Sequence, residues 1–276
     1  MPLANILVHV GGGGGAQSNE RLDAATIFAG NLQAHLTGLY VLPEFEIPAV
    51  AYAYVGNEII ERQRELSVQD AAKAEAAFRV RADGQSLSSD WRCEEGDPSE
   101  IITRLSRYAD LVVLGQAPPD EVTGRIFIEL PEQVVLSSGP PILAIPYAGS
   151  HLGIGDRVLV AWDGSREATR AVHDALPILV KASKVTVLSI DDKNPGSASS
   201  IDMAAHLARH GVAVEASETT SAEQTVGDTL LSRAAEMGVD LIVMGAYGHS
   251  RAREWIIGGV TRHILSYMTV PVLMSH

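Results

Sequence analysis

Cysteine is nearly missing. Among 276 residues, Cys93 carries the single thiol. One thiol forms no internal disulfide and no multi-cysteine zinc site, and the reducing cytoplasm is its expected home. Long apolar runs are missing as well. No stretch reaches the roughly 18 apolar residues of a membrane span, so no membrane contact is expected. Positive charge is short: 21 Lys+Arg face 34 Asp+Glu, leaving a net charge of −13. A surface that acidic repels phosphate backbones at long range, which argues against a nucleic-acid partner. The first basic residue is Arg21, too late for a secretory n-region, so cytoplasmic location is expected. What is present is globular composition, 46% hydrophobic and 20% charged. The length suits two domains of roughly 140 residues.

The chain repeats itself. Asp110-Leu111-Val112-Val113-Leu114-Gly115 returns 130 positions later as Asp240-Leu241-Ile242-Val243-Met244-Gly245. Pro141-Ile142-Leu143 returns at the same shift as Pro271-Val272-Leu273. Near the start, Asn5 to Val10 resembles Arg157 to Trp162, a shift of 152. The first half therefore holds 22 extra residues between its first and fourth strands, expected to include Pro43 to Gly56. The reading is two units, 1–148 and 155–276, joined by Ala148 to Gly155.

Each unit alternates short apolar runs with helical patterns. Ala168, Ala171, Val172, Ala175, Leu176 and Leu179 form one helical face, and Leu22, Ala25, Ala29 and Leu32 form its counterpart. Strands are expected at Val158–Ala161, Val185–Ile190, Val212–Val214, Leu241–Met244 and Val270–Met274. Strand–helix alternation implies parallel strands with right-handed crossovers. The expected fold is α/β: two tandem Rossmann-like doubly wound units, each a five-stranded parallel sheet with helices on both faces. The closing strands Ile142–Ile145 and Val270–Met274 are apolar and would be edges of their own units. Exposed apolar edges invite pairing, so the units are expected to join there about an approximate two-fold axis.

In doubly wound sheets, ligands sit beyond the carboxyl ends of the strands, where strand order reverses. Two segments of the second unit stand there. The first is Ala161-Trp162-Asp163-Gly164-Ser165. Asp163 can accept from ribose hydroxyls, hold magnesium through water, or cap a helix. Ser165, directly before the helical pattern, fits the cap better. The second is Gly245-Ala246-Tyr247-Gly248, then nine residues, then Gly258-Gly259. Glycines let a backbone approach phosphate oxygens. Gly258-Gly259 opens a helix whose free N–H groups and dipole suit an anion. Between them lie His249, Arg251 and Arg253, potential phosphate partners in an acidic chain.

Asp163-Gly164-Ser165 after the first strand, Gly-x-x-Gly with a further Gly, and a closing Pro-Val-Leu strand resemble the universal stress protein family. The resemblance covers both halves. It implies cytoplasmic stress-response roles, paired units, a homodimer and, in one branch, ATP with Mg2+. It would set Asp163 on the ribose, Ala161 and Trp162 on the adenine, and Met244 at its rim. Gly245, Gly248, Gly258 and Gly259 would surround the phosphates, with Val260 at the helix start. The family usually has Ser or Thr where this chain has Gly259, so one hydroxyl donor is lost.

The first unit does not repeat the site. The 130 shift sets Pro118 against Gly248, and Ile128 and Glu129 against Gly258 and Gly259. The 152 shift sets Gly11 against Asp163. Proline removes an amide donor, and a carboxylate repels a triphosphate. The run Gly11 to Gly15 matches Gly-x-Gly-x-x-Ala with Ala16, but any glycine run does; a lax connector is the better reading. One adenine nucleotide per chain is expected, in the second unit.

Other candidates are weaker. His206 and His210 lie four apart without a third ligand and read as solvated or capping residues. Cys93 reads as a buried small hydrophobe. No Lys-bearing P-loop exists. The chain reads as a binding protein, with a slow ATP hydrolase, a dinucleotide enzyme or a nucleotide-free scaffold as alternatives.

Overall fold

The computed structural model describes residues 2–11, 16–42, 57–116, 124–191, 199–221, 224–248 and 259–276. The first half runs β1 (Asn5–His9), α1 (Ala16–Leu32), β2 (His35–Leu42), α2 (Asn57–Gly84), β3 (Ser89–Glu95), α3 (Pro98–Ser106), β4 (Leu111–Gly115), α4 (Gly124–Ser137) and β5 (Ile142–Ile145). The second runs β6 (Arg157–Ala161), α5 (Arg166–Leu179), β7 (Lys184–Ile190), α6 (Ser200–Arg209), β8 (Val214–Thr219), α7 (Val226–Met237), β9 (Leu241–Gly245), α8 (Gly259–Tyr267) and β10 (Val272–Ser275).

The strands form one ten-stranded sheet in the order β3-β2-β1-β4-β5-β10-β9-β6-β7-β8. Each half is parallel throughout, as βαβ crossovers require. The one antiparallel contact among the described strands is β5 with β10, pairing Ala144 with Val272, Leu143 with Leu273 and Ile142 with Met274. The expected join of the two apolar closing strands is thus what the fold contains. Leu143 and Leu273 are the same repeat position, and they face each other at its centre.

Every inner strand is buried on both faces. Ile6 and Val8 point to one side, with Leu7 on the other; Leu241 and Val243 alternate likewise with Ile242 and Met244. One apolar layer joins Leu22 and Ala25 of α1 and Phe78 of α2 to Ala171 and Val172 of α5 and Met203 and Leu207 of α6. The opposite layer joins Ile101 and Ile102 of α3 and Val134 of α4 to Leu230 and Ala234 of α7 and Ile264 of α8. Equivalent helices therefore cover the same face in both halves. With antiparallel direction at the join, the pseudo-dyad stands normal to the sheet.

Repeat details survive in the hydrogen bonds. Asp110 accepts from the amides of Ala4 at 2.9 Å and Asn5 at 2.8 Å. Asp240, its counterpart, accepts from Gly155 at 2.7 Å and Arg157 at 3.1 Å. Burial pushes the Asp240 carboxyl above its ordinary range despite these amides.

Two expectations need correction, and a third lies outside the described residues. The extra length of the first half lies largely in α2, which has 28 residues where α6 has ten; Pro43 to Gly56 fall outside the described residues. β8 runs Val214–Thr219 rather than Val212–Val214, because its sequence VEASET serves a half-exposed edge and carries little apolar signal. Cys93 is exposed, on the opposite edge strand β3. Partial loss of solvent around its sulfur and the Glu75 charge still raise the thiol pKa.

Polar contacts also cross the join. Arg262 on α8 donates to both carboxylate oxygens of Glu132 on α4, each at 3.1 Å. The Glu132 side chain is only 9% exposed. Gln116 Nε2 donates to the carbonyls of Leu265 at 2.8 Å and Ser266 at 3.0 Å, at the end of α8. Arg262→Ala would strand the Glu132 carboxylate, so we expect a loss of about 1–3 kcal/mol in urea unfolding. Adding Glu132→Leu should recover much of it, and a double-mutant cycle with no coupling would show that the pair does not act as a unit.

Candidate functional site

The carboxyl ends of β6 and β9, neighbours in the sheet, hold the predicted residues of the second half. Ala161 and Met244 are register partners and face the α7–α8 layer together. Trp162 points the other way. It is buried against the α5–α6 layer and lines a cavity of about 250 Å³ with His173, Ser199, Asp202, Met203 and His206. The predicted adenine residues are therefore split between two faces of the sheet, as strict strand alternation demands.

The turn after β6 is built from its own side chains. Asp163 Oδ1 accepts from the Ser165 amide at 2.9 Å. Gly164 sits at φ +72°, a conformation that favours glycine. Ser165 is the N-cap of α5 and accepts from Ala168 N at 3.1 Å. Of the readings open for Asp163, the helix cap is taken by Ser165 instead. Asp163 shapes the turn, and its carboxylate is exposed at the strand end.

The glycines after β9 have neighbours within the chain. A Cβ on Gly245 would lie 2.5 Å from the Ala168 amide nitrogen, so glycine there admits the start of α5 against the strand end. A Cβ on Gly248 would lie 3.0 Å from Glu167 Oε2 and 3.1 Å from Ser165 Oγ. The two predicted segments thus meet. Between them stands a residue that sequence reasoning passed over. Glu167 is 7% exposed and pairs with Arg166 at 3.2 Å. Its signal was its place in the first turn of α5, where an acid reads simply as a dipole partner.

Gly259 opens α8, and among the described residues a Cβ there would meet nothing within 4 Å. Val260 follows, exposed. His249, Arg251, Arg253 and Gly258 lie outside the described residues. Tyr247, at φ +59°, donates its amide to Thr261 Oγ1 at 3.3 Å. Burial and the neighbouring Glu132, which accepts from the Tyr247 hydroxyl, raise the phenol above its ordinary range. A turn of the second half is thereby tied to a helix of the first.

The histidines of the second half also cluster. The ring of His173 of α5 lies 5.5 Å from that of His206 of α6, tilted by 51°, and His206 stands 4.8 Å from His210. His210 is the C-cap of α6, so the capping reading holds for it. Burial, His210, His173 and Arg209 lower the His206 pKa. No group of three His, Cys, Asp or Glu side chains among the described residues has the geometry of a metal site.

In the first half, the carboxyl ends of β1 and β4 present His9, Gly11 and Gly115. Where the second half opens α8 at Gly259, the first is already within α4 at Glu129. Pro118 lies outside the described residues.

Comparison with known proteins agrees with this architecture. A model of the universal stress protein family matches the chain twice, over residues 3–146 and 155–276. Universal stress protein Slr1230 of Synechocystis sp. is 28% identical over 149 residues, or 51% of this chain and 49% of that protein. The chain thus matches about half the length of that relative. A universal stress protein from Archaeoglobus fulgidus has the same fold, with a TM-score of 0.76 at 17% identity, over 98% of this chain and 95% of that one. A functionally unknown protein from Pseudomonas aeruginosa gives 0.59 at 16% identity, over 99% and 92%. Two successive family matches spanning nearly all the residues fit one repeated sheet: the chain belongs to the universal stress protein family, as a tandem pair of its domains.

Proposed function

We propose that the chain is a cytoplasmic stress-response regulator that binds one adenine nucleotide in the half over 155–276, leaving 1–148 without a conventional ATP site. The observation that carries this reading is the meeting of the two segments: Gly248 packs against Ser165, so the Asp163 turn and the glycine turn share one strand-end crevice. Ala161 and Met244 offer an apolar rim beside it. The open space at Gly259 leaves the first amides of α8 free to approach a phosphate. His249, Arg251 and Gly258 complete the proposed set, and Trp162 closes its far face.

Electrostatics call for a cation with the nucleotide. The carboxylates of Glu167 and Asp163 flank the crevice, and a triphosphate placed beside them would be repelled. Mg2+ between phosphate and carboxylate would reverse the sign of that contact. The reaction side is weaker. No lysine-bearing phosphate loop exists, and hydrolysis would rest on Asp163 or His249 to position water. The reading is therefore binding, with slow ATP hydrolysis as the enzymatic variant. Glu167 at the glycine turn is the feature that favours a nucleotide-free scaffold instead.

Titration calorimetry with ATP and magnesium tests this, and one site per chain is expected. Gly259→Ser has room for its side chain and should restore a hydroxyl donor, tightening binding about fivefold. Glu167→Gln should weaken the magnesium dependence and improve binding of metal-free ATP. Gly248→Val should lose most binding, partly by displacing Glu167 and Ser165. No binding by any variant would leave the scaffold reading.

A homodimer of whole chains belongs to the same proposal. Its test is sharpened by the fold, because the apolar closing strands already pair within one chain. Light scattering that shows a 29.3 kDa species alone at micromolar concentration would count against the homodimer.

A further inference from the structure

The first half has lost its family motif, yet its switch point is not vacant. Arg21 lies in the second turn of α1, and helical side chains lean toward the helix N-terminus. Its guanidinium reaches back over the ends of β1 and β4. A Cβ on Gly11 would lie 3.0 Å from its Nη2, and one on Gly115 would overlap Nη1. Glycine at both strand ends thus makes the bed on which the guanidinium rests. β1 and β4 are the neighbours between which strand order reverses, the place where such sheets take ligands.

The charge is not answered within the described residues. Arg21 Nε is buried and has no hydrogen-bond partner. Among the described ion pairs, the nearby acid Asp23 is taken by Arg81 at 2.6 Å. The neighbouring titratable group is His9, itself 4% exposed. Burial and the Arg21 charge hold the His9 imidazole down at about 3, so it is neutral. Burial lowers Arg21 only to about 10, so it stays charged at neutral pH. The first turn of α1 carries no acid. A helix N-terminus and a cation therefore point at one place without a negative partner, an arrangement that costs stability unless an anion enters.

We infer that the first half is an oxyanion site built on Arg21, taking a phosphate or carboxylate group at the ends of β1 and β4. The planar fork suits either group through two parallel N–H···O bonds. This site uses none of the residues proposed for ATP in the second half, so the two readings stand or fall separately.

The test uses the full chain in oxyanion-free buffer. Inorganic phosphate should bind and raise the melting temperature, and the His9 imidazole resonances should move with it. Arg21→Met keeps the length of the stem and removes the charge. It should weaken that phosphate site at least about tenfold and abolish the His9 response. Without oxyanion it should be at least as stable as the parent, since an unanswered charge is gone. Arg21→Lys keeps the charge without the fork and should bind phosphate more weakly while still folding. Acetate and adenosine monophosphate, run in parallel, decide whether carboxylate, free phosphate or a nucleotide phosphate is preferred. Unchanged phosphate binding in Arg21→Met, or no response of His9 to any of the three probes in the parent, would overturn the inference. So would an Arg21→Met chain that is less stable than the parent in oxyanion-free buffer, because Arg21 would then be a structural residue already satisfied.

Discussion

The pairing of β5 with β10 is the contact on which the rest of the molecule depends. Each half alone would end in a short apolar strand, Ile142–Ile145 or Val272–Ser275, with its backbone groups unpaired on one side. Antiparallel pairing satisfies those groups and fuses two five-stranded sheets into one of ten. It also sets the dyad through Leu143 and Leu273 and brings α4 beside α8. The outer edges need no such cover. β3 and β8 carry Asp90, Arg92, Glu94, Glu215 and Glu218, charges that discourage a further strand.

Around that axis the tandem chain does what two identical subunits cannot. Repeat-equivalent positions face each other across the dyad. In a symmetric dimer they would hold the same residue, and a charge there would meet its own kind. Here the equivalent positions 132 and 262 hold Glu and Arg, and the pair becomes an attraction with Tyr247 as a third member. The same freedom lets Gln116, at the position of Ala246, clamp the end of α8 with no reciprocal bond.

Much of the architecture was legible because strands covered on both faces read as continuous apolar runs. The repeat, the strand–helix alternation and the pairing of the closing strands followed from that. The edge strand β8 was legible only at its start, because a half-exposed strand dilutes its apolar residues with charge. α2 went unread because its long polar surface buries few large side chains, Phe78 foremost. At the candidate site, the pattern located the strand ends and the cap at Ser165. It misjudged what the glycines touch. A glycine records that something comes close to the backbone, and for Gly245 that neighbour is α5. Glu167 and Arg21 were invisible for a related reason: each is an ordinary helical charge in sequence, and only the fold turns it inward.

A dyad normal to the sheet has a consequence for how the molecule is approached. Strands of the two halves run in opposite directions, so their carboxyl ends emerge on opposite rims of the sheet. Asp163 and the glycine turn open on one rim, and Arg21 with His9 on the other. With strands of about five residues, the rims stand roughly 17 Å apart or more. A partner that caps one rim leaves the other open to solvent, so the protein can display two chemically different faces at once, like a two-sided card.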